Sequence, residues 1–271
     1  MAGTALRGRL SWRLGEVVET IQETPRARTI VLDVPGWEGH LPGQHVDLRL
    51  TAADGYQAQR SYSIASPPEA ASSSDGHPRL ALTVERLEDG EVSPYLTDEL
   101  RVGDRLELRG PIGGYFTWRT VDGGPLLLVA GGSGIVPLMA MIRHRVAAGG
   151  EASGARSGAS GAPGGTAVRL LYSSRSYDEI IYRDELARLA VPGGPIEVVH
   201  TLTRAQPPDW RGHSRRIDRA MLAEVAWPAS ARPRIFVCGP TRLVEAVASD
   251  CLALGHAPAR IKTERFGPTG A

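Results

Sequence analysis

"LLLVAGGSGIVPLMAM", residues 126–141, is the stretch that decides the fold. Leu126 to Ala130 is an unbroken apolar run, the pattern of a strand buried on both faces of a parallel sheet. Gly131, Gly132 and Gly134 then permit a tight turn and the close approach of a ligand to bare backbone. Pro137 suits the first turn of a helix, where a missing N–H costs little. Strand, glycine turn and helix N-terminus in succession make a cradle for an anion, most often a phosphate. The spacing is not the G-x-G-x-x-G dinucleotide fingerprint. A hydrolase elbow, G-x-S-x-G around Ser133, needs glycine where Ile135 stands. A plain glycine turn in an α/β protein is the third reading, and the rest of the chain must decide among them.

Downstream of this cradle, apolar strands alternate with helical patterns. The strands are "LLLVA", "AVRLLYS" from 167, "IEVVHTL" from 196, "RIFVCG" from 234 and "RIKTERF" from 260. Four helical stretches separate them, among them "YDEIIYRDELARLA" and "TRLVEAVASDCLAL". That order predicts a doubly wound, five-stranded parallel sheet. Upstream the texture differs. Short alternating runs such as "TIVLDV" (29–34), "HVDLRL" (45–50) and "RLALTV" (79–84) sit between turn residues. They predict an antiparallel β-barrel or sandwich over the first 118 residues. Residues 147–165, "AAGGEASGARSGASGAPGG", carry a Gly, Ala and Ser bias and read as a flexible surface insertion within the second half.

Composition excludes several classes. The 271 residues are 42% hydrophobic and 23% charged with a net charge of +1, ordinary for a globular protein and without the basic excess that nucleic acid requires. Arg7, Arg9 and Arg13 read as a solvated strand face. Two cysteines, Cys238 and Cys251, cannot supply the four thiolates of an iron–sulfur cluster, and the seven histidines lack metal-site spacing. No metal is expected. The N-terminus has no apolar secretory core, and no run approaches the ~20 apolar residues of a membrane span. A cytoplasmic protein without membrane insertion is the expectation; the sequence says nothing of its oligomeric state.

Two motifs upstream carry chemistry. In "RSYSIAS" (60–66), strand alternation sends Arg60 and Tyr62 to one side and Ser61 and Ser63 to the other. A cation beside an aromatic ring suits a ligand with both a phosphate and a flat ring. In "LTVERLEDGEVSPYL" (82–96), Gly90 turns the chain, Ser93 reads as a helix N-cap and Pro94 as the first helical residue, a second anion-receiving helix start. "RGPIGGYF" (109–116) closes the first half.

Taken in order, Arg60-Ser61-Tyr62-Ser63, Gly90-x-x-Ser93, "GPIGGYF", "GGSGIVP" and "VCGP" resemble the ferredoxin–NADP reductase superfamily, particularly the reductase modules of bacterial oxygenase systems. The resemblance runs from about residue 9 to Gly267. It implies an FAD-binding β-barrel (1–118) followed by an NAD(P)-binding α/β domain (119–271). It implies that Arg60 lies on the FAD pyrophosphate, that Tyr62 lies against the isoalloxazine ring and that Ser63 lies near flavin N5, with Ser61 between them as a further cofactor-binding residue. Ser93 would take the other side of the pyrophosphate, with Gly90 and Val92 of the same turn also cofactor-binding. Gly131, Gly132, Ser133 and Gly134 would receive the pyrophosphate of the nicotinamide coenzyme. Cys238, with Gly239 and Pro240, would lie beside the nicotinamide. Glu264 and Phe266 match the family's C-terminal E-x-F, with Phe266 over the outer flavin face.

At the end of the second parallel strand, where a carboxylate would select NADH, stand Ser173, Ser174 and Arg175. Together with Arg204 and Arg216 they resemble the 2′-phosphate residues of relatives that use NADPH, which the resemblance therefore implies as the hydride donor, with NADH as the other candidate. Without a cluster in the chain, electrons leaving singly go to a separate carrier such as a ferredoxin. Two further readings stay open at this point: an electron-transfer subunit of a larger complex, or a diaphorase for a small acceptor. A hydrolase using Ser133 is the remote alternative.

Overall fold

The computed structural model describes residues 10–68, 79–153, 167–192, 194 and 196–267. Its first half is a six-stranded antiparallel sheet in the order β4-β3-β6-β1-β2-β5. The strands are β1 (Arg13–Thr24), β2 (Ala27–Asp33), β3 (His45–Thr51), β4 (Gln57–Ser63), β5 (Arg79–Glu85) and β6 (Arg105–Ile112). Just beyond β4 the chain reaches the opposite edge. Ile64 bridges Leu82 of β5, and the Ala65 N–H donates to the Ala81 carbonyl at 2.8 Å, closing the sheet into a barrel. Closure leaves no free strand edge at that seam. Val17, Ile30, Leu32, Val46, Leu48, Leu80, Leu82 and Val84 fill the interior.

β2 and β5 carry buried residues on both faces, for a reason that matters below. Their alternate residues Ile30, Leu32, Leu80 and Leu82 point into the barrel. Ala27 and Ala81 instead join the core of the second half, and Thr29 and Thr83 are also buried. The two halves thus share a core along this barrel wall, which takes in Phe116, Trp118 and Tyr182.

The second half is a five-stranded parallel sheet in the order β11-β10-β7-β8-β9. Its strands are β7 (Leu126–Gly131), β8 (Val168–Ser174), β9 (Ile196–Leu202), β10 (Arg234–Pro240) and β11 (Ile261–Phe266). Every residue of β7 is buried. Leu126, Leu128 and Ala130 pack with residues of α1 (Ile135–Ser153) and α2 (Arg183–Leu189). Leu127 and Val129 pack with α3 (Arg219–Val225) and α4 (Thr241–Ala253). Helices on both faces make the sheet doubly wound, as the alternation predicts.

Two boundaries differ from the sequence reading. α1 continues to Ser153, so the start of the stretch read as an insertion is helical, and 154–165 lie outside the described residues. The stretch 177–190 is not one helix. A 3₁₀ turn (Tyr177–Glu179) precedes Tyr182, which adopts a left-handed φ of 59° and so breaks the helix before α2. Among the described residues no helix is long and apolar enough to cross a membrane.

Candidate functional site

On the barrel, β4 pairs residue for residue with β3: Leu48 with Arg60, Asp47 with Ser61, Val46 with Tyr62 and His45 with Ser63. Alternation gives Arg60 and Tyr62 the face of Leu48 and Val46. Tyr62 packs on the barrel core, and burial pushes its phenol up to about 12, so it is a neutral flat surface at physiological pH. The Arg60 guanidinium is half exposed and lies 3.3 Å from the Glu91 carboxylate. That contact brings the strand and the Gly90–Ser93 turn together.

The side chains of Ser61, Val92 and Ser93 are each engaged within the protein, and Ser93 departs from the N-cap expectation. The Ser61 hydroxyl donates to Asp47 Oδ1 at 2.6 Å, on the opposite face from Arg60. Asp47 is further held by Arg109 Nε at 3.0 Å. Val92 is buried in the barrel core, which leaves only its backbone for a ligand. Ser93 does not cap a helix. Its Oγ accepts from the Leu87 N–H at 3.0 Å, and the single π-helical turn Tyr95–Glu99 starts after Pro94 with no side-chain cap. The hydroxyl instead pins the 87–90 turn, where a Cβ on Gly90 would come within 2.9 Å of it.

The glycines of the opening stretch answer to a neighbour rather than to the turn alone. β7 and β10 are adjacent, and the strand order reverses between them, the crevice where α/β sheets take ligands. After β7 come the 3₁₀ turn Gly132–Gly134 and α1; β10 ends in Cys238-Gly239-Pro240. A Cβ on Gly131 would meet Leu243 at 2.8 Å and Pro240 at 3.1 Å, and one on Gly134 would strike the Cys238 carbonyl. A Cβ on Gly239 would meet the Gly131 nitrogen at 3.2 Å. The two turns pack backbone to backbone, and Gly132 adopts a left-handed φ of 54° that favours glycine. Such bare backbone at a helix start fits a pyrophosphate. Ser133 lies inside the 3₁₀ turn, with Ile135 opening the buried face of α1.

Across the β10–β11 register Cys238 stands opposite Glu264 and Pro240 opposite Phe266. Cys238 is 2% exposed, and burial, with the Glu264 charge added, pushes its thiol well above the ordinary range. It is a neutral thiol, not a nucleophile. Burial also raises Glu264, to about 7. Phe266 packs against the core that contains Cys238 and Phe236.

At the far end of the crevice, Ser174 is buried at the end of β8 and Arg175 is exposed just beyond it. The Arg204 and Ala205 N–H groups both donate to the Arg175 carbonyl, at 2.9 and 3.0 Å, so the two arginines leave adjacent strands side by side. Thr201 bridges His213 and bonds the Arg215 carbonyl, which brings the Arg216 segment to the same edge. Arg215 is tied to Asp218 at 2.8 Å, whereas Arg175, Arg204 and Arg216 carry no side-chain ion pair or hydrogen bond among the described residues.

Three features here escaped the sequence reading. Tyr177 and Trp210 meet edge to face between these two loops, with centroids 6.3 Å apart. His45 lies opposite Ser63, and a Cβ on Gly113 would sit 3.6 Å from its Nδ1. The Glu85 carboxylate lies 3.6 Å from where a Cβ of Gly132 would stand. Only the barrel closure brings β5 to that turn, and no sequence spacing signals it.

The architecture and these paired turns define a class, an oxidoreductase with a flavin-binding barrel ahead of a nicotinamide-binding sheet. Residues 15–117 match the oxidoreductase FAD-binding domain, and residues 128–249 the oxidoreductase NAD-binding domain. Ferredoxin–NADP reductase B of Sorangium cellulosum is 35% identical over 212 residues, which cover 76% of each chain. The glycine betaine monooxygenase reductase subunit of Chromohalobacter salexigens is 30% identical over 260 residues, 94% of this chain. The chain spans only 64% of that subunit's length. The crystal structure of the Amycolatopsis cytochrome P450 reductase GcoB superimposes with a TM-score of 0.75 at 26% identity, covering 96% of this chain and 71% of that one. The chain belongs to the ferredoxin–NADP reductase superfamily. The hydrolase alternative at Ser133 falls with that assignment.

Proposed function

We propose that this protein takes a hydride from NADPH, with NADH as the weaker donor, onto non-covalently bound FAD and passes electrons to a ferredoxin. The observation that carries the reading is the backbone-to-backbone packing of the two glycine turns at the β7/β10 reversal, with Cys238 and Glu264 in register beside them. Bound FAD supplies the chemistry, accepting a hydride and releasing electrons singly. The division into domains at residues 118 and 119 and a cytoplasmic location belong to the same proposal.

The chain's own residues have distinct tasks in this reading. Arg60 pairs with the pyrophosphate of FAD, a bidentate match that its exposed contact with Glu91 cannot equal. Tyr62 offers its neutral ring to the isoalloxazine, and Ser63, at the end of the same strand, lines its reacting edge. Gly90, Val92 and Ser93 serve through their backbone. Gly131 to Gly134 give the coenzyme pyrophosphate close access to N–H groups. Cys238, Gly239 and Pro240 form the floor beside the nicotinamide, and Phe266 shields the flavin from water. Glu264, raised to about 7 by burial, holds a proton near neutral pH beside that floor. Arg175, Arg204 and Arg216, at one edge and without a side-chain partner among the described residues, receive the 2′-phosphate, with Ser174 at the strand end. Arginine's planar fork suits phosphate oxygens.

The test is direct. Heat should release FAD from the purified protein, and NADPH should be oxidised faster than NADH when a ferredoxin is the acceptor. Recovery of FMN, or a preference for NADH, overturns the corresponding part of the proposal.

A further inference from the structure

Four hydroxyl and carboxylate groups form a line through the wall shared by the two halves. On the barrel, Thr29 and Thr83 stand opposite each other in the β2–β5 register, both buried, with their hydroxyls 2.8 Å apart. The Thr29 hydroxyl also donates to Glu23 Oε1 at 2.6 Å. From the other side, the Tyr182 hydroxyl bonds Thr83 Oγ1. Each hydroxyl has one proton. Thr29 spends its proton on Glu23, so Thr83 must donate to Thr29, and Tyr182 must then donate to Thr83. The line has one direction, from a phenol of the nicotinamide half to a carboxylate of the barrel.

Tyr182 is held to this line from several sides. Its left-handed φ of 59° is strained for a non-glycine residue, and such a conformation persists only where the surroundings over-determine it. The Arg143 guanidinium stands 4.8 Å from its ring centroid. Arg143 is bidentate to Glu185 of α2, at 2.9 and 2.6 Å, and donates to the Ala65 carbonyl, just past the strand that carries Arg60 and Tyr62, at 2.8 Å. The preceding Ile181 N–H donates to the Tyr172 hydroxyl of β8 at 3.3 Å. On β5, Thr83 lies two residues before Glu85, and so on the same face, and Glu85 meets the Gly132 turn. A cavity of about 460 Å³ follows this boundary, where Glu23, Arg143, Asp184, Glu185 and Arg188 reach water.

We propose that Tyr182 is a positioning residue. Through the directed chain Tyr182–Thr83–Thr29–Glu23 it locks the coenzyme-binding half onto β5 and so sets the distance over which hydride passes. The second clause rests on the function proposed above; the first does not.

Tyr182→Phe keeps the ring and its stack on Arg143 but removes the donor. Thr83→Val removes the relay with little change of shape, and Thr83→Ser restores it. In the flavin-loaded protein, hydrogen–deuterium exchange at the amides of 181–186 should speed up roughly tenfold in Tyr182→Phe, the scale of one lost buried hydrogen bond. Thr83→Val should do the same, the double variant should be no worse than either single one, and Thr83→Ser should stay near wild type. Flavin reduction at saturating coenzyme should slow severalfold, with coenzyme Kd and the flavin absorbance spectrum unchanged. Wild-type exchange in Tyr182→Phe, or strictly additive effects in the double variant, overturns the lock. Altered exchange with unaltered flavin reduction overturns the positioning role. A wild-type protein that neither coenzyme reduces counts against the proposed function instead, and the exchange result still decides the lock.

Discussion

Glu264 offers the sharpest quantitative check, because its environment acts on one group whose partner strand is known. Its carboxyl rises from an ordinary 4.5 to about 7 through burial alone. A carboxyl whose folded value lies above its unfolded one keeps its proton longer in the native state. Its contribution is therefore harmless below about 4.5 and increasingly unfavourable as pH climbs toward 7. Between about pH 5 and about pH 8 the folded state should lose about 2 kcal/mol from this group, after allowance for its partial exposure. Glu264→Gln imitates the protonated form and should not pay that charge. Other titrating groups are common to both proteins and cancel in the difference. Urea unfolding of the flavin-saturated protein, followed by tryptophan fluorescence and circular dichroism together, measures it. The variant should match wild type at the acid end and exceed it by about 2 kcal/mol at the alkaline end. Parallel pH profiles for the two proteins would falsify the claim that Glu264 is buried at a desolvating cost.

The other predictions concern the ligand sites. Arg175→Ala should cut kcat/KM for NADPH roughly ten- to hundredfold and leave NADH nearly unchanged, because a bond to a charged group is worth about 1.5–3 kcal/mol; equal losses for both coenzymes would place Arg175 elsewhere. Arg60→Ala should weaken FAD binding by about tenfold, measured by flavin release on dilution, with the net effect trimmed because the surface pair with Glu91 is given up in either case. Ser61→Ala should lower stability by about 1 kcal/mol by taking a donor from Asp47, with FAD affinity unchanged. A large loss of flavin in that variant shows that Ser61 faces the cofactor after all.

What the sequence disclosed follows from the range of the interactions involved. The β7 strand and its glycine turn are local. Burial on both faces and the loss of every Cβ at Gly131, Gly132 and Gly134 leave their mark within a few residues, and so does the alternation that separates Arg60 and Tyr62 from Ser61. The second reason for those glycines was hidden, since Cys238 and Pro240 reach them only through the parallel pairing of β7 with β10. Ser93 misled for a related reason. A serine before proline is a good N-cap in isolation, yet here its oxygen is nearer to the Leu87 N–H of the turn behind it. The helix predicted over 177–190 failed at Tyr182 because tertiary contacts overrode local propensity.

Those same contacts link the two halves of the site, and they account for its least legible part. Thr29 and Thr83 are 54 residues apart in sequence, and Thr83 and Tyr182 are 99 apart. A threonine in a strand is ordinary, and a tyrosine before a short helix is ordinary, so neither position draws notice alone. Buried together they are costly unless every proton finds an acceptor. That condition is met only if the barrel wall and the coenzyme-binding half dock in one arrangement. The requirement is stricter than apolar packing, which tolerates sliding, because a hydroxyl displaced by an ångström loses its bond. A flavin on the barrel and a coenzyme at the glycine turns, as proposed, would need just such a fixed relation, since the reacting atoms must lie about 3–3.5 Å apart. Polar groups buried in a wall that could have been wholly apolar therefore fit a demand for geometry rather than for stability.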